Sequence, residues 1–189
     1  MKKQGKSYKP KKVSAGYLER AALHYLGRFA SSEENLRRVL ERKVRRRNEE
    51  NAPPTDEQVG WIDDVVKKCA GYGYVNDESY ARQRAEGLLR KGKPTRQIMQ
   101  DLRYKGVEQE VAETTVNNLV DEERDAKADE LAAAAYVRRR RFGPYRRQGH
   151  DIEGRREKEI ASMMRAGFSY GLTTRTLDSS QDELEALQP

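Results

Sequence analysis

The stretch "GYGYVNDESYAR", Gly71 to Arg82, decides how the chain is read. Two glycines and two tyrosines are followed by Asn76, Asp77 and Glu78 in a row. Adjacent acids hold metal ions in some proteins and start helices in many others. The flanks favour a helix start. Gly71 and Gly73 can end the preceding helix in a left-handed conformation at little cost. Asn76 is a good N-cap, and Asp77 and Glu78 then fall in the first turn, where the helix dipole favours negative charge. Val75, just ahead of the cap, is positioned to staple against Tyr80. Tyr80, Ala81, Arg84, Ala85, Leu88 and Leu89 continue at helical spacing. The pattern predicts a helix and no metal site.

The same grammar extends in both directions. Tyr17, Leu18, Ala21, Ala22, Tyr25 and Leu26 predict a helix beginning near Gly16. Ser31 or Ser32 caps a second helix with the apolar stripe Leu36, Val39, Leu40, Val44. "NAPPT" (51–55) breaks the chain, and Thr55 or Asp56 restarts it with Val59, Ile62, Val65, Val66 and Cys69 on one face. Cys69 reads as a small buried hydrophobe. After Gly92 and Pro94, Ile98, Met99 and Leu102 point inward until Gly106. Val107, Val111, Val116 and Leu119 mark a further helix. Asp121, Glu122, Glu123 and Asp125 resemble another helix start. Ala128, Leu131, Ala132, Ala135 and Tyr136 then form a stripe, followed after a polar linker by Ile160, Met163 and Met164, a stop at Gly167, and a short helix over 170–178.

The 189 residues are 35% hydrophobic and 37% charged, too polar for one thick core. Several small helical cores use the apolar residues better, so the fold class expected is all-α. The pattern also cycles. Leu36, Leu40 and Lys43 match Ile98, Leu102 and Lys105, and Gly106–Val107 matches Gly167–Phe168. A period of roughly 50 residues points to tandem units that must stack to bury a core. The expected organisation is a disordered basic arm (1–15), repeats of three helices over 16–72, 73–120 and 121–178, and a disordered acidic tail (179–189). Together the repeats are expected to form an elongated curved array.

Net charge is +7, unevenly placed. Residues 1–15 carry six lysines and no acid, and residues 178–189 carry four acids and no base. A basic arm on a basic body suits an anionic polymer as partner. One cysteine allows no internal disulfide, and no apolar run approaches the ~20 residues of a membrane span. A cytoplasmic location and a monomer are expected.

Catalytic machinery is not visible. Gly87 to Lys93 reads G-x4-G-K, but Pro94 follows instead of Ser or Thr, and Leu88, Leu89 and Arg90 belong to a helix face. His24 and His150 are far apart in sequence, and no paired-cysteine or HExxH motif exists. Asp63 and Asp64 are adjacent and so face different sides of their helix. No enzyme activity and no cofactor are expected.

Binding remains. Arg37, Arg38 and Arg45 lie off the stripe of the second helix. Arg82, Arg84, Arg90, Lys91, Lys93, Arg96, Arg103 and Lys105 recur outside the next core. "RRRRFGPYRR" places Arg138, Arg139, Arg140, Arg141, Arg146 and Arg147 around Phe142 and Tyr145. Arginines grip phosphates and aromatic rings stack on unpaired bases. Solvated helix surface with packed aromatics is the alternative. Single- or double-stranded DNA is a candidate ligand.

"GYVNDESYAR" resembles the signature of the RecX family, through Gly73, Asn76, Asp77 and Tyr80. "GKPTRQIMQDLRYKGV" (92–107) is similar to that family's next helix, with Leu102 and Gly106 in place, and "MMRAGFS" (163–169) to its C-terminal element with Gly167 and Phe168. "ALHYLGRFASSEENLRRVLERK" (22–43) fits its first repeat. The resemblance spans 16–178, and 71–107 is its specific part. Val107 stands where the family often has isoleucine, and 138–155 is longer and more basic than the family pattern. The resemblance implies tandem three-helix repeats and a regulator of the RecA recombinase. Such a protein lies along the RecA–DNA filament, touches neighbouring protomers and suppresses strand exchange, ATP turnover and co-protease activity.

Overall fold

The computed structural model describes residues 12–119, 127–147 and 153–187. Among the described residues there are ten α-helices and no strand, so the all-α class is the one observed. In order they are α1 (Ala15–Leu26), α2 (Glu33–Arg45), α3 (Asp56–Gly71), α4 (Asp77–Arg90), α5 (Thr95–Tyr104), α6 (Gln109–Asn117), α7 (Ala128–Arg140), α8 (Arg155–Arg165), α9 (Tyr170–Asp178) and α10 (Gln181–Ala186). The expected helix start at 121–125, residues 148–152 of the linker expected through Gly154, and residues 1–11 of the arm lie outside the described residues. The chain divides into two compact units, residues 1–80 and 81–189.

In the first unit α1, α2 and α3 pack on one another. Leu18 and Ala22 of α1, Leu36, Leu40 and Val44 of α2, and Ile62, Val65 and Val66 of α3 fill the core. These positions recur every three or four residues, as one buried face requires. Cys69 completes the α3 stripe, and burial pushes its thiol pKa up, Glu19 adding to the shift. Val59 was expected on that stripe, but burial begins at Ile62 and Val59 stays exposed. Three hydroxyls cap the helices: Ser14 for α1, Ser32 for α2, and Thr55 for α3 in a capping box with Gln58. The expected arm boundary at residue 15 is therefore too late, because Ser14 caps α1 and Val13 packs against the core.

In the second unit α5 packs on α6, while α7 and α8 both pack on α9. Ala81 and Ala85 of α4, Ile98 and Leu102 of α5, Val107 and Ala112 are buried. A second cluster joins Ala132, Ala133, Ala134, Tyr136 and Val137 of α7 with Met163, Phe168, Leu172 and Leu177. The alanine run buries α7 on more than one face and lets neighbours approach its backbone. A Cβ added at Gly92 would stand 2.6 Å from the Tyr136 nitrogen. Met164 was expected inward; it is exposed, because burial of α8 follows Glu159 and Met163 at a four-residue spacing and Met164 is one residue off that line.

The acidic tail is a correction to the expectation of a loose end. Residues 181–186 form α10, started by a capping box between Ser180 and Glu183. Leu184, 3% exposed, joins the second cluster, and Leu187 packs against it. One leucine at helical phase and one good cap are enough to dock a short helix that looked purely polar in the sequence. Burying it stabilises this contact by about 1.5–3 kcal/mol.

Four helices end in the same way. After α3, α4, α5 and α8 a left-handed glycine (Gly73, Gly92, Gly106, Gly167) lets the next N–H reach back to a carbonyl five residues earlier. Val107 donates to Leu102 and Phe168 to Met163, at 3.1 and 3.2 Å. α7 ends on the same hydrogen bond, Phe142 to Val137 at 2.9 Å, but with Arg141 at φ 58° in the left-handed position.

Candidate functional site

The signature residues prove to be structural joints. The Asn76 side chain accepts the Ser79 N–H at 2.7 Å, which is the N-cap expected of it. Asp77 does more than sit in the first turn. Its Oδ1 accepts the N–H of Glu33 at 2.9 Å and so caps α2, 44 residues earlier. The same device recurs in the second unit, where Asp129 accepts the Thr95 N–H at 2.7 Å and caps α5. Each acid is the first or second residue of a long helix and satisfies an orphan amide of the helix two before it. Asp129 was missed by sequence reasoning, although its place at the start of α7 parallels that of Asp77 in α4. Tyr80, Leu102 and Phe168 are buried.

The candidate cations separate into paired and exposed groups. In the first unit Arg37 pairs with Asp63 and lies 3.4 Å from Glu34, while Arg38 meets Glu34 at 2.8 Å. Arg45 is exposed in the last turn of α2. Such half-exposed pairs contribute about 0–1 kcal/mol, so these groups exchange partners readily.

In the second unit Arg84 forms a two-pronged pair with Asp101, one arm at 2.9 Å, tying α4 to α5. Arg90 stands 3.8 Å from Glu86, and Arg103 stands 3.8 Å from Glu113. Lys105 lies 5.7 Å over the ring of Tyr104, which is 75% exposed. Arg82, Lys91 and Arg96 are exposed and Lys93 is half-buried.

The segment 138–147 divides most sharply. Arg138, Arg139, Arg140, Arg141 and Arg147 are exposed. The guanidiniums of Arg139 and Arg140 both lie over the Tyr136 ring, at 5.9 and 5.7 Å, which gathers the two on one side of the helix. Arg146 instead belongs to the fold. It reaches Glu159 with two nitrogens, at 3.0 and 2.7 Å. Glu159 is 2% exposed and also accepts the Gly143 N–H at 3.1 Å and Arg155 at 3.2 Å. Burial alone would raise the Glu159 pKa; the bonds from Arg146, Gly143 and Arg155 outweigh it and hold the carboxyl below its ordinary range. Glu159 was missed as well. Its signal is an acid four residues before buried Met163, on the apolar line of α8.

Phe142 and Tyr145 were candidates for base stacking. Both are half-buried and pack against the α7–α9 cluster, Phe142 edge-on to Tyr136 at 6.2 Å. They act as packing residues, which was the alternative left open. The exposed aromatics are elsewhere: Tyr72 and Tyr74, 5.9 Å apart, and Tyr104 and Tyr170. No helix among the described residues is long and apolar enough to cross a membrane.

Comparison with known proteins matches residues 76–116, the span of α4 to α6, to the family model described as "RecX, second three-helix domain". A regulatory protein RecX from Myxococcus xanthus is 39% identical over 179 residues, covering 95% of this chain and 94% of the relative. Another from Agrobacterium fabrum is 28% identical over 182 residues, covering 96% and 93%. The crystal structure of RecX from Lactobacillus salivarius shares the fold with a TM-score of 0.59 at 18% identity, covering 91% of this chain and 97% of that one. The Asn76–Asp77 start, the stops at Gly92 and Gly106 and the helices α4 to α6 thus fall where the family model lies, and identity at this level over nearly the whole length shows that the chain belongs to the RecX family.

Proposed function

We propose that the chain is a non-enzymatic regulator that binds the RecA nucleoprotein filament and modulates, mainly inhibits, its recombinase, ATPase and co-protease activities. The observation that carries this reading is the 39% identity to a regulatory protein RecX over 95% of the chain. In this reading three repeats, over 16–72, 73–120 and 121–178, contact a surface that exists only in the assembled filament. The exposed cations Arg45, Arg82, Lys91, Arg96, Arg139 and Arg140 add attraction to filament DNA and to acidic protein surface. The protein then acts as a monomer in the cytoplasm, in homologous recombination, DNA repair and the SOS response. Strand exchange by purified RecA tests it. Exchange falls at substoichiometric protein if the reading is right; undiminished exchange at equimolar protein refutes it.

A second reading, DNA binding without a recombinase partner, is favoured by the exposed Arg138–Arg141 run alone. It requires tight binding to naked DNA. With ~5 phosphates neutralised, log K falls against log salt with a slope of about −4 to −5. Weak binding to naked DNA beside strong binding to filaments counts against it.

A further inference from the structure

We propose that the acidic helix α10 is a built-in competitor for the arginine cluster at the end of α7, and that this cluster takes a nucleic acid backbone when α10 yields. The inference deepens the reading above for one patch, and rests on it for the choice of nucleic acid as ligand.

The patch carries a sign of having been kept for its charge. Four helix ends with the same returning hydrogen bond hold glycine in the left-handed position, and the end of α7 holds Arg141. A side chain there is strained, and glycine would remove the strain. Strain of this kind is retained where the side chain has a task. Arg141 is exposed and follows Arg139 and Arg140, which converge over Tyr136. A run of consecutive guanidiniums suits the closely spaced charges of a phosphate backbone, roughly 3.4 Å apart along one strand.

The competitor is brought to the same place by the chain itself. Beyond Arg141 the backbone turns onto the end of α9, so closely that a Cβ on Gly143 would meet the Leu177 carbonyl at 3.0 Å. α9 leads directly into α10. Leu184 of α10 shares one cluster with Val137 of α7, and Phe142, Tyr145 and Leu187 pack against that cluster. Burial pushes the Tyr145 phenol pKa up, with Glu185 adding to the shift and Arg138 opposing it, so an α10 acid and an arginine of the cluster both act on one group. The segment 178–189 has four acids and no base, the chemistry of a polyanion. Asp178 is engaged with Arg156 and Glu183 with the Ser180 cap; Glu185 accepts only from the neutral Gln181 amide of its own helix, at 2.7 Å, so its charge and that of Asp182 remain to compete.

The hold on α10 is slight. It is six residues long with one buried leucine. The Tyr145 hydroxyl beside it is buried without a hydrogen-bond partner among the described residues. A helix so anchored can be displaced by a ligand with more charge.

The test is fluorescence anisotropy on the full chain with a labelled oligothymidylate of about 30 nucleotides and a duplex of equal length. The variant Asp182→Asn/Glu185→Gln keeps Leu184 and the Ser180–Glu183 cap, and an unchanged circular dichroism melt checks that α10 remains in place. Affinity for the oligonucleotide is expected to rise about threefold or more at about 50 mM salt, with the gain shrinking towards about 200 mM. Adding Arg138→Ala, Arg139→Ala and Arg140→Ala should abolish the gain. Unchanged affinity in the first variant overturns the inference, as does a gain that survives loss of the arginines. An equal gain for polyglutamate would also overturn it, by making the patch a protein-binding one. No recombinase is present, so failure here leaves the filament reading intact, and failure of strand-exchange inhibition leaves this one intact.

Discussion

Replacing Gly92 with alanine should damage the second unit far more than the same change at another positive-φ glycine that has room for a Cβ. Gly92 has φ +70°, and its added Cβ would meet the Tyr136 nitrogen at 2.6 Å, its Cα at 2.8 Å and its Cβ at 2.9 Å. The obstacle is the backbone of α7 inside an alanine-rich packed face, which cannot rotate aside. The left-handed conformation costs alanine about 1 kcal/mol. Forced separation of two packed elements adds about 1–3 kcal/mol. The expected loss is therefore ~2–4 kcal/mol. Gly167→Ala is the control in the same unit: φ is +97°, and the nearest atom to the new Cβ is the Pro94 Cγ at 3.4 Å, an ordinary contact. It should lose only about 1 kcal/mol. Urea unfolding followed by circular dichroism at matched m-values measures both. Losses equal to within about 0.5 kcal/mol would show that α7 yields at no cost and refute the reasoning.

Glu159→Gln should cost about 2–4 kcal/mol, because it strips the charge that satisfies Arg146, Arg155 and the Gly143 amide, and thermal melts at neutral pH would register it. The folded carboxyl holds its proton less tightly than the unfolded one, so its contribution is full above the ordinary value of 4.5 and fades as pH falls through the lower folded value; the variant should lack that acid-side slope. Leu102→Ala, at a fully buried site, should cost ~2–4 kcal/mol, against about 1 for loss of the Asn76 cap in Asn76→Ala; equal large losses in urea melts would contradict the cap assignment. Arg141→Gly should stabilise the fold by about 0.5–1 kcal/mol, read as a raised melting midpoint, and a lowered midpoint would mean that the arginine side chain makes a stabilising contact.

The local grammar of helices was legible in the sequence because it depends on neighbours three to five residues apart. Asn76 caps as expected, Ser32 and Thr55 prove to be the caps out of the pairs Ser31/Ser32 and Thr55/Asp56, and α9 occupies the expected 170–178. What depends on distant partners was not legible. Asp77 and Asp129 look like ordinary first-turn acids until the amides they cap, 44 and 34 residues away, are brought beside them. Arg146 and Arg147 are adjacent and chemically identical, yet Glu159 draws one into the fold and leaves the other exposed. Gly92 reads as a helix stop like Gly106, and nothing local announces that α7 approaches it so closely. The exposed cations were recognisable as a class, and telling which of them pair with acids required the acids opposite them.

The borrowed caps have a consequence for synthesis. A chain leaving the ribosome presents α2 long before Asp77 follows it, and α5 long before Asp129. Each earlier helix must wait with a bare amide at its head until the start of a later one emerges. Assembly is thereby given a direction, and a cut just ahead of α4 or of α7 would separate a carboxylate from the amide that depends on it.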